Sequence, residues 1–273
     1  MKTALSIAGS DCSGGAGIQA DLKAFAAHGV FGMSAVTSVV AENTFRVIEY
    51  QDVRPDIIGK QIDAVFEDIP PDAVKIGMLS CQETMLAVAG KLREHRPRNI
   101  VVDPVMYAKN GTPLMEPSAV ETLIREVAPL SDLLTPNIPE AEKLTGLEIK
   151  TQDDMEQAAR IIHAMGCRAV VVKGGHYMGE QAIDILFDGR EFHRYPAVRV
   201  DTKHTHGTGC TFSSAIAANL ALGHAPSQAV GQAKEYINAA IANAPGLGKG
   251  SGPTHHFYEM YKAYFGEGSQ NAK

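Results

Sequence analysis

The chain has no tryptophan, and only 6% of its residues are aromatic. The missing tryptophan decides nothing about function. Cysteine is sparse: Cys12, Cys81, Cys167 and Cys210 lie far apart and form no CxxC pair. That spacing speaks against a zinc site, and a disulfide framework is not expected in a chain of 273 residues. Dense Lys/Arg runs are missing too. With 25 basic and 31 acidic residues the net charge is −6, which argues against nucleic acid or an anionic membrane as partner. No apolar run reaches membrane-spanning length, and Met1-Lys2-Thr3-Ala4-Leu5-Ser6-Ile7 lacks the long apolar core of a signal peptide. A reduced, cytoplasmic protein is expected. Without a positive field, anions must be held by local devices such as helix N-termini.

What is present is the composition of a globular domain, 45% hydrophobic and 21% charged. Short β-branched runs alternate with helical patterns. Strands are predicted at Ala4–Ala8, Ala35–Val40, Ala73–Ile76, Ile100–Asp103, Leu133–Thr135 and Ala169–Val172. Helices are predicted near Gly15–His28, Pro55–Asp68, Gln82–His95, Pro117–Ala128, Pro139–Leu144, Asp153–Met165, Cys210–Leu222 and Pro226–Asn243. The alternation implies an α/β fold, a mostly parallel central sheet with helices on both faces. Asp188-Gly189 between two apolar runs signals a hairpin, placing antiparallel strands at one edge. One domain over residues 1–265 is expected, followed by a loose tail at 266–273. In such folds the loops at the carboxyl ends of the strands form the binding crevice.

His204-Thr205-His206-Gly207-Thr208-Gly209-Cys210 is the most informative stretch. A glycine-punctuated turn delivers Cys210 to the first turn of a helix, where free N–H groups and the helix dipole favour an anion. The same field is expected to lower the thiol pKa. An anion hole beside an ionisable thiol suits phosphoryl transfer to a hydroxyl. Four further motifs follow strand ends. Ala8–Asp21 is a glycine loop opening a helix, with neither G-x-G-x-x-G nor a P-loop Lys-Ser/Thr. Its Asp11 and Asp21 either grip a hydroxyl or ring nitrogen of a ligand, or cap the helix and face solvent. Asp103 before Pro104 either orients a Mg²⁺-bound water or ends its strand, and Tyr107–Pro113 reads as a closing flap. Asn137 and Glu140 form a capping-box pattern that is also suited to water around Mg²⁺. Lys173 before Gly174-Gly175 can reach a nucleotide phosphate. Together these motifs describe ATP-dependent phosphoryl transfer.

From about Ala4 to Phe257 the chain resembles the hydroxymethylpyrimidine/phosphomethylpyrimidine kinases of thiamine biosynthesis, a branch of the ribokinase-like superfamily. The matching blocks are Ile7–Asp21, Gly32–Thr44, Lys75–Leu79, Val101–Val105, Thr135–Ala141, Lys173–His176, Thr202–Thr211 and Gly250–Phe257. The resemblance implies a ribokinase-like three-layer sandwich, ATP and Mg²⁺ as cofactors, a small pyrimidine substrate and a homodimer. It implies Cys210 as base, with Gly207, Thr208 and Gly209 as anion hole. It assigns Asp21, Met78, Val105, Gly9 and Ala16 to the pyrimidine, Lys173, Asn137 and Thr208 to ATP, and Asp103 and Glu140 to the metal. One position departs. The family usually reads Ala-Gln-Asn-Thr where this chain has Ala41-Glu42-Asn43-Thr44. A Gln amide both donates and accepts, matching an aminopyrimidine edge, whereas an ionised Glu42 only accepts. Either Glu42 or the ring must then hold a proton. Two alternatives remain open: pyridoxal kinase activity within the same family, and a non-catalytic pyrimidine- or nucleotide-binding regulator.

Overall fold

The computed structural model describes residues 1–176 and 181–266. The strands are β1 (Thr3–Ala8), β2 (Phe31–Val36), β3 (Ser38–Asn43), β4 (Arg46–Asp52), β5 (Ala73–Ile76), β6 (Ile100–Val102), β7 (Leu133–Leu134), β8 (Val170–Val172), β9 (Gln181–Phe187) and β10 (Phe192–Val198). The helices are α1 (Gly17–Ala27), α2 (Pro55–Asp68), α3 (Gln82–His95), α4 (Ala119–Thr122), α5 (Ile138–Thr145), α6 (Gln152–His163), α7 (Thr208–Ala221), α8 (Pro226–Ala242) and α9 (Tyr258–Phe265). Eight strands form one sheet in the order β10-β9-β8-β7-β6-β5-β1-β2. Every pairing from β2 to β8 is parallel, and β9 and β10 add antiparallel at one edge, as the Asp188-Gly189 signal implies. Strands β3 and β4 form a separate antiparallel ribbon, with a register shift between Ala41 and Glu42.

Strand alternation sends neighbouring residues to opposite faces of the sheet. Leu5, Ile7, Val74, Ile76 and Val102 join a core with residues of α2, α3, α5 and α6, among them Ile58, Met85, Ala141 and Ile162. Ala4, Ala73, Val101, Leu133 and Val171 turn to the other face and meet Phe25, Phe212, Ile216 and Val230 of α1, α7 and α8. From Thr211 to Ala221 every residue of α7 is buried. That explains its apolar, alanine-rich sequence, because it lies close under the sheet instead of at the surface.

Two expectations are corrected, and two elements were not foreseen. The strand predicted over Ala35–Val40 is two strands, broken at Thr37. Thr37 donates its amide to Ala8 and its hydroxyl to the Met78 carbonyl, so the chain leaves the sheet there and continues into the ribbon. The helix predicted over Pro117–Ala128 keeps α geometry only at Ala119–Thr122. It widens to a π turn at Leu123–Val127 and tightens to a 3₁₀ turn at Ala128–Leu130, where Pro129 has no amide to give. Strand β4 and helix α9 carry no clear sequence signal, being largely exposed on the ribbon and near the chain end. No described helix is long and apolar enough to cross a membrane. Of the tail expected at 266–273, residues 267–273 lie outside the described residues.

Candidate active site

A cavity of about 390 Å³ opens where the parallel strands end. Five parallel strands contribute through the loops that follow them: Gly9 after β1, Met78 after β5, Asp103 and Val105 after β6, Asn137 after β7 and Lys173 after β8. The ribbon supplies Val40 and Glu42 from above, and Tyr107–Gly111 closes one side. This is where a parallel α/β sheet brings sequence-distant polar groups together.

The opposite wall is the start of α7. Gly207 is its N-cap at φ +72°, and a Cβ there would sit 1.8 Å from the Gly15 carbonyl oxygen. Only glycine fits both the left-handed backbone and that contact. Thr208, Gly209 and Cys210 open the helix and line the cavity. The first helical bond, Thr211 N–H to Gly207 O, comes after them, so the Gly209 and Cys210 amides are among the orphan donors of a helix start. The thiol departs from expectation. Burial pushes Cys210 up to about 11; the Lys75 charge and the Gly17 amide oppose this, while Asp21 and Asp103 reinforce it. Loss of hydration outweighs the helix field, and the resting group is a thiol.

Lys173 Nζ lies 2.6 Å from Asp103 Oδ1, with 13% and 2% of the two side chains exposed. Thr135 and Ser213 also hydrogen-bond Asp103. Asn137 and Glu140 form the expected capping box: Asn137 Oδ1 accepts from the Glu140 amide at 2.9 Å, and Glu140 Oε2 from the Asn137 amide at 2.8 Å. The cap and the cavity therefore use the same two residues. Burial drives the Glu140 carboxyl up to about 7 against the pull of Lys173, and the Asp103 charge adds to the rise. Two buried carboxylates thus share one ammonium. That oxygen-only donor set fits a hydrated magnesium ion, which keeps several waters and takes few carboxylates.

On the other side of the cavity lie Gly9, Ala16, Met78, Val105 and Glu42. Burial pushes the Glu42 carboxyl up to about 7, helped by the Asp11 charge and opposed by His206. Asp11 itself is a structural acceptor. Its carboxylate takes the amides of Ser13, Gly15 and Ala16, and His206 Nε2 lies 2.8 Å from its Oδ2. Burial works to raise Asp11, but the hydrogen bonds from His206 and Ser13 reverse this and hold it well below the usual carboxylate range. Asp11 thus organises the loop at the start of α1, and it is fully buried, against the solvent exposure that goes with the capping alternative.

Like Asp11, Asp21 does not line the cavity. It is fully buried behind it, bound by Lys75 at 2.8 Å through both oxygens. The sequence reading gave Lys75 no role, although Lys75 lines the cavity with Cys210. A signal was available: a lone lysine inside the otherwise apolar run Ala73-Val74-Lys75-Ile76. His206 was likewise unassigned, and only the fold brings it to Asp11.

The sequence profile of phosphomethylpyrimidine kinases matches residues 11–255. The chain is 51% identical over 252 residues to a thiamine biosynthesis bifunctional protein of Geobacter sulfurreducens, covering 92% of this chain and about half, 51%, of that relative. It is 50% identical to the hydroxymethylpyrimidine/phosphomethylpyrimidine kinase of Rhizobium meliloti, covering 95% of this chain and 98% of that one. A pyridoxal kinase of Bacillus subtilis, solved with ADP, superposes with a TM-score of 0.89 at 41% identity, over 95% of this chain and 99% of that one. A Gly-Thr-Gly-Cys helix start beside a lysine–aspartate pair in one cavity, together with a profile match over nearly the whole chain, places this protein in the phosphomethylpyrimidine kinase family.

Proposed function

We propose that this chain is an ATP-dependent kinase that phosphorylates 4-amino-5-hydroxymethyl-2-methylpyrimidine and then its monophosphate, in thiamine biosynthesis. The observation that carries the reading is the convergence of the α7 start, Cys210 and the Lys173–Asp103 pair on one cavity. One kinase domain over residues 1–265 serves both steps. The acceptor hydroxyl would face Cys210, with its ring against Gly9, Ala16, Met78, Val105 and Glu42. The Gly209 and Cys210 amides and Lys173 would hold the transferring and adjacent phosphates. Asn137, Asp103 and Glu140 would hold Mg²⁺ through its waters. When bound, that ion supplies charge neutralisation on the phosphate oxygens.

In the first transfer the Cys210 thiolate takes the acceptor hydroxyl proton. The hydroxyl oxygen bonds to the γ-phosphorus, the bond from that phosphorus to the bridging oxygen breaks, and ADP leaves. In the second transfer the acceptor is a phosphate oxygen already ionised near neutrality, because the second phosphate pKa is about 6. No base is needed there.

Exposed apolar residues on the ribbon, Val39 at 58% and Ile48 at 62%, support a homodimer through that face. The four free cysteines support a reducing, cytoplasmic setting. The test is ATP consumption by purified protein with Mg²⁺, offering the hydroxymethylpyrimidine, its monophosphate and pyridoxal separately. Turnover of both pyrimidines is expected. Pyridoxal turnover alone would move the assignment to a pyridoxal kinase, and binding without turnover would make the chain a regulator.

A further inference from the structure

The Lys75 ammonium is 0% exposed, yet it lines the same cavity as Cys210. It rises from β5 on the face that meets α1 and α7. Both of its described hydrogen bonds, at 2.8 Å, go to Asp21 Oδ1 and Oδ2. An ammonium has three donors, so one is left over among the described contacts. Asp21 also accepts from Ser6 Oγ at 2.6 Å and Ser214 Oγ at 2.7 Å. Ser214 stands four residues after Cys210 on α7, so the two share a helix face one turn apart. Asp21 therefore ties Lys75 to the helix face that carries the thiol. The pocket for the ammonium is cut to fit: a Cβ on Gly77 would lie 2.7 Å from Lys75 Nζ and 2.9 Å from the Ala8 Cβ.

We propose that Lys75 is a positioning residue for Cys210, a fixed cation held by Asp21 against the α7 face that stabilises the thiolate during hydroxyl phosphorylation. The need for it follows from the burial that keeps Cys210 a thiol at rest. A lone thiolate in that wall would be costly, whereas one facing an ammonium is not. The charges around the thiol are Lys75 from β5, Asp21 from α1, and Asp103 and Lys173 from the loops after β6 and β8. Burial alone would pull the Lys75 ammonium down, but the charges of Asp21, Cys210 and Asp103 reverse this and keep it protonated. The thiol proton leaves to solvent in the cavity before transfer, and the substrate hydroxyl proton then replaces it on sulfur. Asp21 is the brake in this arrangement: it keeps Lys75 in place while opposing the thiolate.

The inference rests on the reading of Cys210 as base, but its test does not need turnover. The rate of iodoacetamide alkylation at Cys210 is followed against pH by peptide mass spectrometry, with exposed Cys12 as internal control. In Lys75→Met the Cys210 titration should move up by about 1–3 pH units, the usual effect of losing an opposite charge nearby. In Asp21→Asn, which keeps a hydrogen-bonding side chain of the same shape, it should move down. A merely structural pair would not shift the thiol in opposite directions. Unchanged titration in both variants overturns the proposal. If Lys75→Met does not fold, Lys75→Gln, which keeps a polar group beside Asp21, decides: an upward shift supports it and no shift overturns it. Failure of the wild type to phosphorylate either pyrimidine would count against the functional reading and leave the thiol result standing.

Discussion

Two buried lysine–aspartate pairs flank Cys210, and they differ in one respect. Lys75–Asp21 is sealed, with both side chains 0% exposed and Asp21 satisfied by two serines as well. Lys173–Asp103 opens to the cavity, and its lysine keeps 13% exposure. A sealed pair cannot exchange its partner for a ligand, so it can act only through its fixed field. An open pair can release its lysine to a phosphate as the ligand replaces water. The chemistry is the same in both pairs, and access to solvent separates a fixed charge from a ligand-binding one.

That contrast is breakable. Removing one partner of a sealed pair leaves an uncompensated charge in the interior, which costs about 3–5 kcal/mol. Lys75→Met should therefore lower the denaturation midpoint sharply in urea titrations, and Lys173→Met should do so less. Cys210, between the pairs, gives the next largest effect. Cys210→Ala should slow the first phosphorylation by about 10²-fold or more, the usual contribution of a general base, and the second far less. Equal losses in both steps, measured with each acceptor in turn, would remove the base from the mechanism. For the open pair, Lys173→Met should raise the KM for ATP by about 10–100-fold, in line with a charge-assisted hydrogen bond of about 1.5–3 kcal/mol. A KM change for the pyrimidine alone would place Lys173 on the wrong side of the cavity.

The smallest effect concerns Glu42. Its carboxyl is raised to about 7, so it is protonated below that pH and can donate to a ring nitrogen while its carbonyl oxygen accepts from the amine. As pH rises through 7 the donor is lost, and the KM for the hydroxymethylpyrimidine should climb. Glu42→Gln should hold that KM flat from pH 6 to 8 at the low-pH value. The same sign holds for stability. A raised carboxyl pKa favours the fold fully below its unfolded value near 4.5 and loses that contribution as pH passes 7. The Gln variant should thus gain melting temperature at pH 8 relative to the wild type, and not at pH 4.

Much of this frame was legible in the sequence. The β-branched runs gave the parallel strands because their period and length are local properties, and helices α2 and α3 fall on the predicted residues. The capping box at Asn137 and Glu140 was readable because its two residues lie three positions apart. The Gly207–Cys210 turn was readable because glycine there answers a backbone demand. The ribbon was not legible, since the strand run through Ala35–Val40 contains no turn residue to mark the exit at Thr37.

The sequence by itself determined the layered α/β architecture, the polar loops at the strand ends and the helix start that holds Cys210. These depend on neighbours a few residues apart. Tertiary structure alone decided that Asp21 serves Lys75, 54 positions away, instead of lining the cavity. It decided that Asp11 meets His206, 195 positions away, and that burial, with the Asp11 charge, raises Glu42 against the pull of His206. It also decided that Cys210 rests as a thiol, because burial is a property of the assembled core and outweighs the helix dipole that the local sequence can supply.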